Sequence, residues 1–317
     1  SNGGKFAYAP LNYEDLSLNE DQLLSLKSSH LQHRNKLFAF PAQSNVSGVR
    51  HSLEWIKVFQ NDGWDVLLDA AAYVPTSRLD LKKHTPDFVS VSFYKVFGFP
   101  TGIGCLLVRK TKFNKLQKRW FAGGTVSLVS VNVDNYYLAG NHERFENGTV
   151  NYLEIPAVGR GIQFMNELGM DRLHERVASL TTYLIAELEN LHHDNGAPLV
   201  KIFGPSRQAD RGATIILNFF DVEGHAYPFE EIEAMASQRM ISLRGGCFCN
   251  PGIDEVNNCL STNELAAYYT TRDKGDYYDM IAFLGKMRGA IRVSLGMGTI
   301  QADLDAFVEF SRSLLNN

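Results

Sequence analysis

Cysteine is scarce. Cys105, Cys247, Cys249 and Cys259 are the only four in 317 residues. So few thiols do not make a disulfide scaffold, and they point to a reducing, cytoplasmic setting. Positive charge is not in excess either: 31 Lys and Arg stand against 35 Asp and Glu, a formal net charge of −4. A general nucleic-acid or anionic-membrane binder carries a basic surplus, so neither partner is expected. Long apolar runs are missing too. The longest apolar region, Phe88 to Val108, is broken by Lys95, Pro100 and three glycines and does not read as a membrane span. No charged leader ahead of an apolar segment opens the chain, and no internal repeat or low-complexity tract is visible. The first residues are Ser1-Asn2-Gly3-Gly4 rather than a methionine.

What is present is enough apolar material for a real core: 44% hydrophobic and 11% aromatic residues. The length suits one large or two ordinary domains. Helical spacing covers Leu18 to Lys27 and Ser52 to Phe59, and short apolar strands are expected at Leu37 to Phe40, Asp65 to Asp69, Asp87 to Ser92 and Ile103 to Val108. This alternation predicts an α/β fold with a mostly parallel sheet. Cys105, inside the last of these strands, reads as a buried core residue. From Tyr152 to His192 the apolar spacing is helical and breaks near Gly169, which predicts two successive helices. Strands are then expected at Leu199 to Phe203, Ala213 to Phe219, Ile241 to Leu243 and Ala290 to Ser294, with helices at Phe229 to Arg239 and Ala302 to Leu315. The expected division is a large domain over residues 1–165 and a smaller α/β domain over 166–317, with the helical stretch 152–192 bridging them.

Three places carry chemistry. Asp69 closes an apolar strand and is followed by three alanines. Ligands of open α/β sheets sit at the carboxyl ends of strands, where a carboxylate among small residues can approach a flat ring; an ordinary helix N-cap is the plainer alternative. Ser92-Phe93-Tyr94-Lys95 follows another strand and leads into Gly98-Phe99-Pro100-Thr101-Gly102-Ile103-Gly104. A lysine partly desolvated among aromatics becomes a nucleophile for a carbonyl, although a lysine snorkelling from a strand end would look the same. Gly102-x-Gly104 has the wrong spacing for a dinucleotide fingerprint. The third place is Arg244-Gly245-Gly246-Cys247-Phe248-Cys249-Asn250-Pro251-Gly252, a tight exposed loop with a thiol near an arginine. A structural turn and a zinc site are its alternatives, the latter poorly served by Cys247-x-Cys249 and a distant Cys259. A basic run from Arg109 to Arg119 reads as a solvated helix face, with a docking patch as the other possibility.

Taken together and in this order, these segments resemble the class V, fold-type I pyridoxal-phosphate enzymes. SFYKVFGFPTGIG and RGGCFCNPG look most like the cysteine-desulfurase domain of molybdenum cofactor sulfurases. The resemblance runs from about Leu37 to the C-terminus. It implies pyridoxal 5'-phosphate as cofactor, L-cysteine as substrate, no metal, a homodimer, and transfer of sulfur to an unidentified acceptor. Position by position, Lys95 matches the lysine that binds the cofactor aldehyde, and Asp69 the carboxylate on the pyridine nitrogen. Ser92 matches a hydroxyl on the cofactor phosphate. Tyr94 stands where desulfurases commonly have histidine. Asn45 matches an asparagine near the ring oxygen and substrate, and Thr149 a threonine reaching the neighbouring subunit's phosphate. Arg292 matches the clamp on the substrate carboxylate, with Arg244 lining the same pocket. Cys249 matches the persulfide-forming nucleophile, with Cys247 as a weaker second candidate. Ala72 replaces a glutamine common in desulfurases, and Asp254 replaces a cysteine found in several of the sulfurases, which argues against a longer sulfur relay. The resemblance also implies a part of the fold upstream of residue 1, including a phosphate-binding helix and a ring stacker. None of His33, His51 or His84 is placed in chain order to replace that stacker. Two further readings remain: another class V reaction with Cys249 incidental, and a cofactor-free remnant acting as a binding protein.

Overall fold

The computed structural model describes residues 4–317, so Ser1, Asn2 and Gly3 of the unusual start lie outside the described residues. The first half alternates as its hydrophobic pattern predicts: α1 (Glu20–Ser29), β1 (Leu37–Pro41), α2 (Glu54–Gln60), β2 (Asp65–Asp69), β3 (Phe88–Ser92), α3 (Phe93–Phe97) and β4 (Gly104–Val108). These strands form one sheet in the order β1-β2-β3-β4. β1, β2 and β3 run parallel, and β4 returns antiparallel to β3. Val66 and Leu68 are fully buried, and Phe38, Phe40, Trp55, Ile56 and Phe59 close over them from β1 and α2.

A hairpin follows, β5 (Val126–Ser130) and β6 (Asn135–Leu138), and then the long helices α4 (Ile155–Leu168) and α5 (Met170–Glu189). The second sheet takes β7 (Val200–Phe203), β8 (Thr214–Phe219), β9 (Arg244–Gly246) and β10 (Ala290–Ser294), in the order β7-β8-β10-β9 and antiparallel throughout. The remaining helices are α6 (Phe229–Gln238), α7 (Pro251–Asn257), α8 (Thr262–Thr270), α9 (Tyr277–Leu284) and α10 (Gln301–Arg312). On α5, Leu173, Val177, Leu180, Leu184 and Leu188 recur at three- and four-residue steps and are buried. This stripe packs with Leu304, Phe307 and Val308 of α10 against Ile215, Leu217 and Phe219 of β8. Ile216 faces the other way, into a small seam with Val46, Val49, Phe248, Ile253 and Ala290. Because successive side chains of a strand alternate faces, β8 serves both the helix core and this seam. Among the described residues no helix is long and apolar enough to cross a membrane.

Three expectations need correction. No strand forms at Ile241 to Leu243; the strand begins at Arg244. The Ile241 N–H still bonds the Ala236 carbonyl at 3.0 Å and closes the end of α6, with Met240 at φ +60. Cys105 is half-buried rather than a core residue, because β4 is an edge strand whose Leu106 and Leu107 are exposed; burial nonetheless pushes its thiol pKa up. The basic run is not a solvated α-helix. It opens as a 3₁₀ turn over Lys110–Lys115, with Lys112 and Lys115 bonded to Asp65 and Arg109 beside the buried Asp87. Burial raises the Asp65 carboxyl pKa, but the hydrogen bonds and charges of the two lysines outweigh it and hold it below the usual value. The hairpin and the helices α7 to α9 had no counterpart in the sequence reading.

The loop between β1 and α2 is fastened to the second sheet. The Gly212 N–H bonds the Gly48 carbonyl at 2.7 Å, and the Arg50 N–H bonds the Asp210 carbonyl at 2.8 Å. Gly48 has φ +74, and a Cβ there would fall 2.1 Å from the Thr214 carbonyl oxygen. Gly48→Ala therefore has to shift backbone as well as adopt a left-handed conformation. It is expected to lose about 3 kcal/mol of stability, read as a lower denaturation midpoint at unchanged slope; a loss under about 1 kcal/mol would show that this loop is not pressed onto β8.

Candidate active site

The carboxyl ends of β2 and β3 lie side by side, with Asp69 paired to Ser90 in register. Asp69 is exposed at its strand end. Its Oδ1 accepts from the Ala71 N–H at 2.9 Å and from Ser90 Oγ at 3.2 Å. This is an Asx turn followed by further turns, not a helix N-cap. Oδ2 has no partner among the described residues, so the carboxylate keeps a free oxygen. Three residues past the end of β3, Lys95 sits in the short helix α3, whose Phe97 ring presses on α4 at Gly161, where a Cβ would lie 2.5 Å from the ring. Lys95 is exposed. The partial desolvation expected from its aromatic neighbours is therefore not supplied within this chain, because Tyr94 and Phe99 also turn outward. Ser92 is the residue before α3, and its hydroxyl makes no capping bond, which leaves it free.

Arg292 is the centre of the second half of the site. It lies on β10 directly opposite Arg244 on β9. Its Nη1 donates to the Asn45 carbonyl at 3.0 Å, its guanidinium lies 4.9 Å from the Phe248 ring centre, and its Nε is buried without a partner. Burial, and then the neighbouring Arg244 charge, lower the Arg292 pKa from its ordinary value; Cys249 and Tyr94 lie close enough to act in the other direction. Among the described residues no carboxylate pairs with either arginine. Two adjacent guanidinium groups, one with an unused buried N–H, make a receptor for a small anion, and the planar fork suits a carboxylate.

Cys249 is exposed, Cys247 half-buried and Phe248 buried. Phe248 and Cys249 both occupy the left-handed region, at φ +53 and +60. Such backbone costs about 1–2 kcal/mol per non-glycine residue, so the loop is held rather than relaxed. Several contacts hold it. Asn45 Nδ2 donates to the Phe248 carbonyl at 3.0 Å, and the Asn250 N–H donates to the Cys247 carbonyl at 3.0 Å. The Tyr277 hydroxyl lies against Cys247, and burial followed by that contact raises the Tyr277 pKa. Below the loop, Asp254 is buried. It accepts from Arg288 Nε at 2.6 Å, the Gly289 N–H at 2.6 Å and Asn258 Nδ2 at 2.9 Å.

The structure thus brings Asn45, Tyr94, Arg244, Cys249 and Arg292 together, and places Asp69, Ser92 and Lys95 at one strand edge. Thr149 is not brought to them. It is exposed in the loop before α4 and makes no hydrogen bond among the described residues. His51 is half-buried elsewhere, and desolvation lowers its pKa to about 4. The described residues gather one trio of potential metal ligands, Asp221, Glu223 and His225 on a turn, and no thiol belongs to it. The Asp254–Arg288 pair and the Tyr277 contact were missed in the sequence, since nothing local marks partners separated by 34 and 30 positions.

A mixed α/β chain with a carboxylate and a lysine at the carboxyl edge of a parallel sheet has the architecture of fold-type I pyridoxal-phosphate enzymes. The model of the aminotransferase class-V family matches residues 9–307, and the chain belongs to that family. It is 36% identical over 317 residues to the molybdenum cofactor sulfurase of Homo sapiens, matching 95% of this chain and 35% of that protein. The molybdenum cofactor sulfurase of Bombyx mori is 37% identical over 311 residues, with 89% of this chain and 38% of the relative covered. The chain therefore spans little more than a third of the length of these curated relatives. Among solved structures, the apo cysteine desulfurase of Thermococcus onnurineus NA1 superposes with a TM-score of 0.74 at 22% identity, covering 98% of this chain and 66% of that one. That likeness establishes the fold.

Pyridoxal phosphate is the cofactor of this family and fold. The donor set fits its ring and aldehyde: Asp69 offers an unused carboxylate oxygen, Lys95 an accessible amine and Ser92 an unengaged hydroxyl.

The buried Asp254–Arg288 pair underpins the cysteine loop. Asp254→Ala leaves a buried guanidinium uncompensated and is expected to cost about 3 kcal/mol or more in thermal or denaturant unfolding. Adding Arg288→Met should recover most of that loss; a double variant as unstable as the single one would contradict the pair's role.

Proposed function

We propose that the chain is the catalytic part of a cysteine desulfurase-like enzyme of the molybdenum cofactor sulfurase kind, converting L-cysteine to alanine and carrying the sulfur as a persulfide on Cys249. The observation that carries this reading is the gathering of an accessible thiol, Arg244 and Asn45 around Arg292, with neither arginine paired to a carboxylate among the described residues. The bound cofactor supplies the electron sink for bond changes at the substrate's α-carbon.

The residues divide the remaining work. Arg292, helped by Arg244, binds the substrate carboxylate through its free N–H groups. Asp69 holds a proton on the ring nitrogen through its unused oxygen. Lys95 Nζ anchors the aldehyde and moves the α-proton. Ser92 donates to the phosphate, Tyr94 flanks the lysine, and Asn45 offers its side-chain amide to the ring oxygen and substrate. Cys249, as thiolate, attacks the substrate sulfur. The new S–S bond forms as the C–S bond breaks, and its electron pair returns to the substrate's β-carbon, which takes up a proton and becomes the methyl of alanine. A thiolate of the acceptor then attacks the terminal sulfur; the new S–S bond forms as the bond to Cys249 Sγ breaks, and Cys249 leaves as a thiolate.

The exposed apolar side chains from Phe99 through Leu128, Tyr152 and Phe164 support a homodimer in which Thr149 serves the partner's cofactor. The two separate sheets support a division of the chain near residue 165 into a larger cofactor-binding unit and a smaller one. Four free thiols suit a reducing cytoplasm.

The test is incubation of the cofactor-loaded protein with L-cysteine, reading alanine and the intact protein mass. Wild type should form alanine and gain one sulfur on Cys249. Cys249→Ala should lose both products while retaining the cofactor's visible absorbance. Equal alanine output from Cys249→Ala, or keto acid without sulfide, would sink the persulfide reading.

A further inference from the structure

Asn45 contacts the nucleophile's loop as well as the proposed cofactor side, and its surroundings make it a rigid strut. Its own loop is closed by the Ser44 N–H on the Val49 carbonyl at 2.8 Å, and by Ser44 Oγ accepting from the Val46 and Ser47 N–H groups at 3.2 and 3.1 Å. The same loop is clamped to the second sheet through Gly48 and Arg50. From this fixed base, Asn45 Nδ2 reaches 203 positions along the chain to the Phe248 carbonyl at 3.0 Å, while Arg292 grips the Asn45 carbonyl from the other side. The carbonyl that Asn45 holds belongs to the peptide joining Phe248 to Cys249, and both of those residues are in the left-handed region. Left to itself, that pair would relax toward extended or right-handed backbone and swing the thiol away.

We propose that Asn45 is a positioning residue for Cys249: its side-chain amide locks the Phe248–Cys249 peptide so that the thiol stays beside Arg292. A primary amide carries two N–H donors and an acceptor. One N–H is spent on Phe248, which leaves the other N–H and Oδ1 for the cofactor and substrate. One side chain therefore ties the state of the ligand pocket to the placement of the thiol. This inference rests on the reading of Cys249 as the nucleophile, but the contact itself exists without cofactor and is testable without turnover.

The experiment is hydrogen–deuterium exchange, read by mass spectrometry on the cofactor-free protein. The peptide covering residues 244–252 reports the loop, including the Asn250 N–H that closes its turn. Asn45→Ala should speed exchange in that peptide by about tenfold, the order expected for one part-buried amide–carbonyl bond. Peptides of β7 and β8 should keep the wild-type rate. Asn45→Asp keeps the volume but loses the donor, so it should match Asn45→Ala. Cys249→Ala should leave loop exchange unchanged, so the outcome does not depend on the thiol's chemistry. Unchanged loop exchange in Asn45→Ala would overturn the proposal. So would wild-type exchange in Asn45→Asp, which would place the effect in volume, or faster exchange of loop and sheet together, which would mark a general loosening of the fold.

Discussion

The burial of Phe248 in the seam between the second sheet and the β1–α2 loop is the contact on which the site depends. Its ring sits with Val46, Val49, Ile216, Ile253 and Ala290, which come from the β1–α2 loop, β8, α7 and β10. Burying a phenylalanine side chain contributes about 1.5–3 kcal/mol. Two consecutive left-handed residues cost about 2–4 kcal/mol together. The two magnitudes nearly cancel, so the loop's shape also needs the Asn45 bond, the Arg292–ring contact and the turn bond of Asn250. Held in this way, the loop keeps an exposed thiol in one place.

The two halves of the site differ in how they are built. At the parallel sheet, geometry follows from topology: parallel strands end at the same edge, so Asp69 and the residues after Ser92 must be neighbours. At the antiparallel sheet, cross-strand pairing puts two arginines opposite each other, an arrangement that repels unless an anion joins them. Tyr94, next to Lys95, is among the groups whose charge acts on Arg292. Below this level, the Asp254–Arg288 pair fixes the start of α7 and thereby the far end of the cysteine loop. Asp254 itself is buried and serves the structure here.

Local pattern carried much of the fold. Alternating short apolar runs and helical stretches gave β2 at Asp65–Asp69 to the residue, and Gly169 marked the break between α4 and α5. Asp69, Lys95 and Cys249 stood out as residue types at strand ends or in a glycine-rich loop, whereas Arg292 was reached only through the family resemblance. What sequence did not reveal was set by distant partners. Ile241 to Leu243 is apolar enough for a strand, but the Ile241 N–H is already committed to α6. The apolar run of β4 does not say that β4 lies at an edge. The exposure of Lys95 and the reach of Asn45 to Phe248 depend on contacts that no local spacing encodes.

The claim that the strand edge and the cysteine loop form one site can be tested without cofactor or substrate. A short reagent with one amine-reactive and one thiol-reactive end, applied in a Cys247→Ser background, should join Lys95 to Cys249 within a single chain, as read by peptide mass spectrometry. A dominant link between Cys249 and any other lysine, or no intramolecular link from Lys95, would contradict the convergence of the two halves.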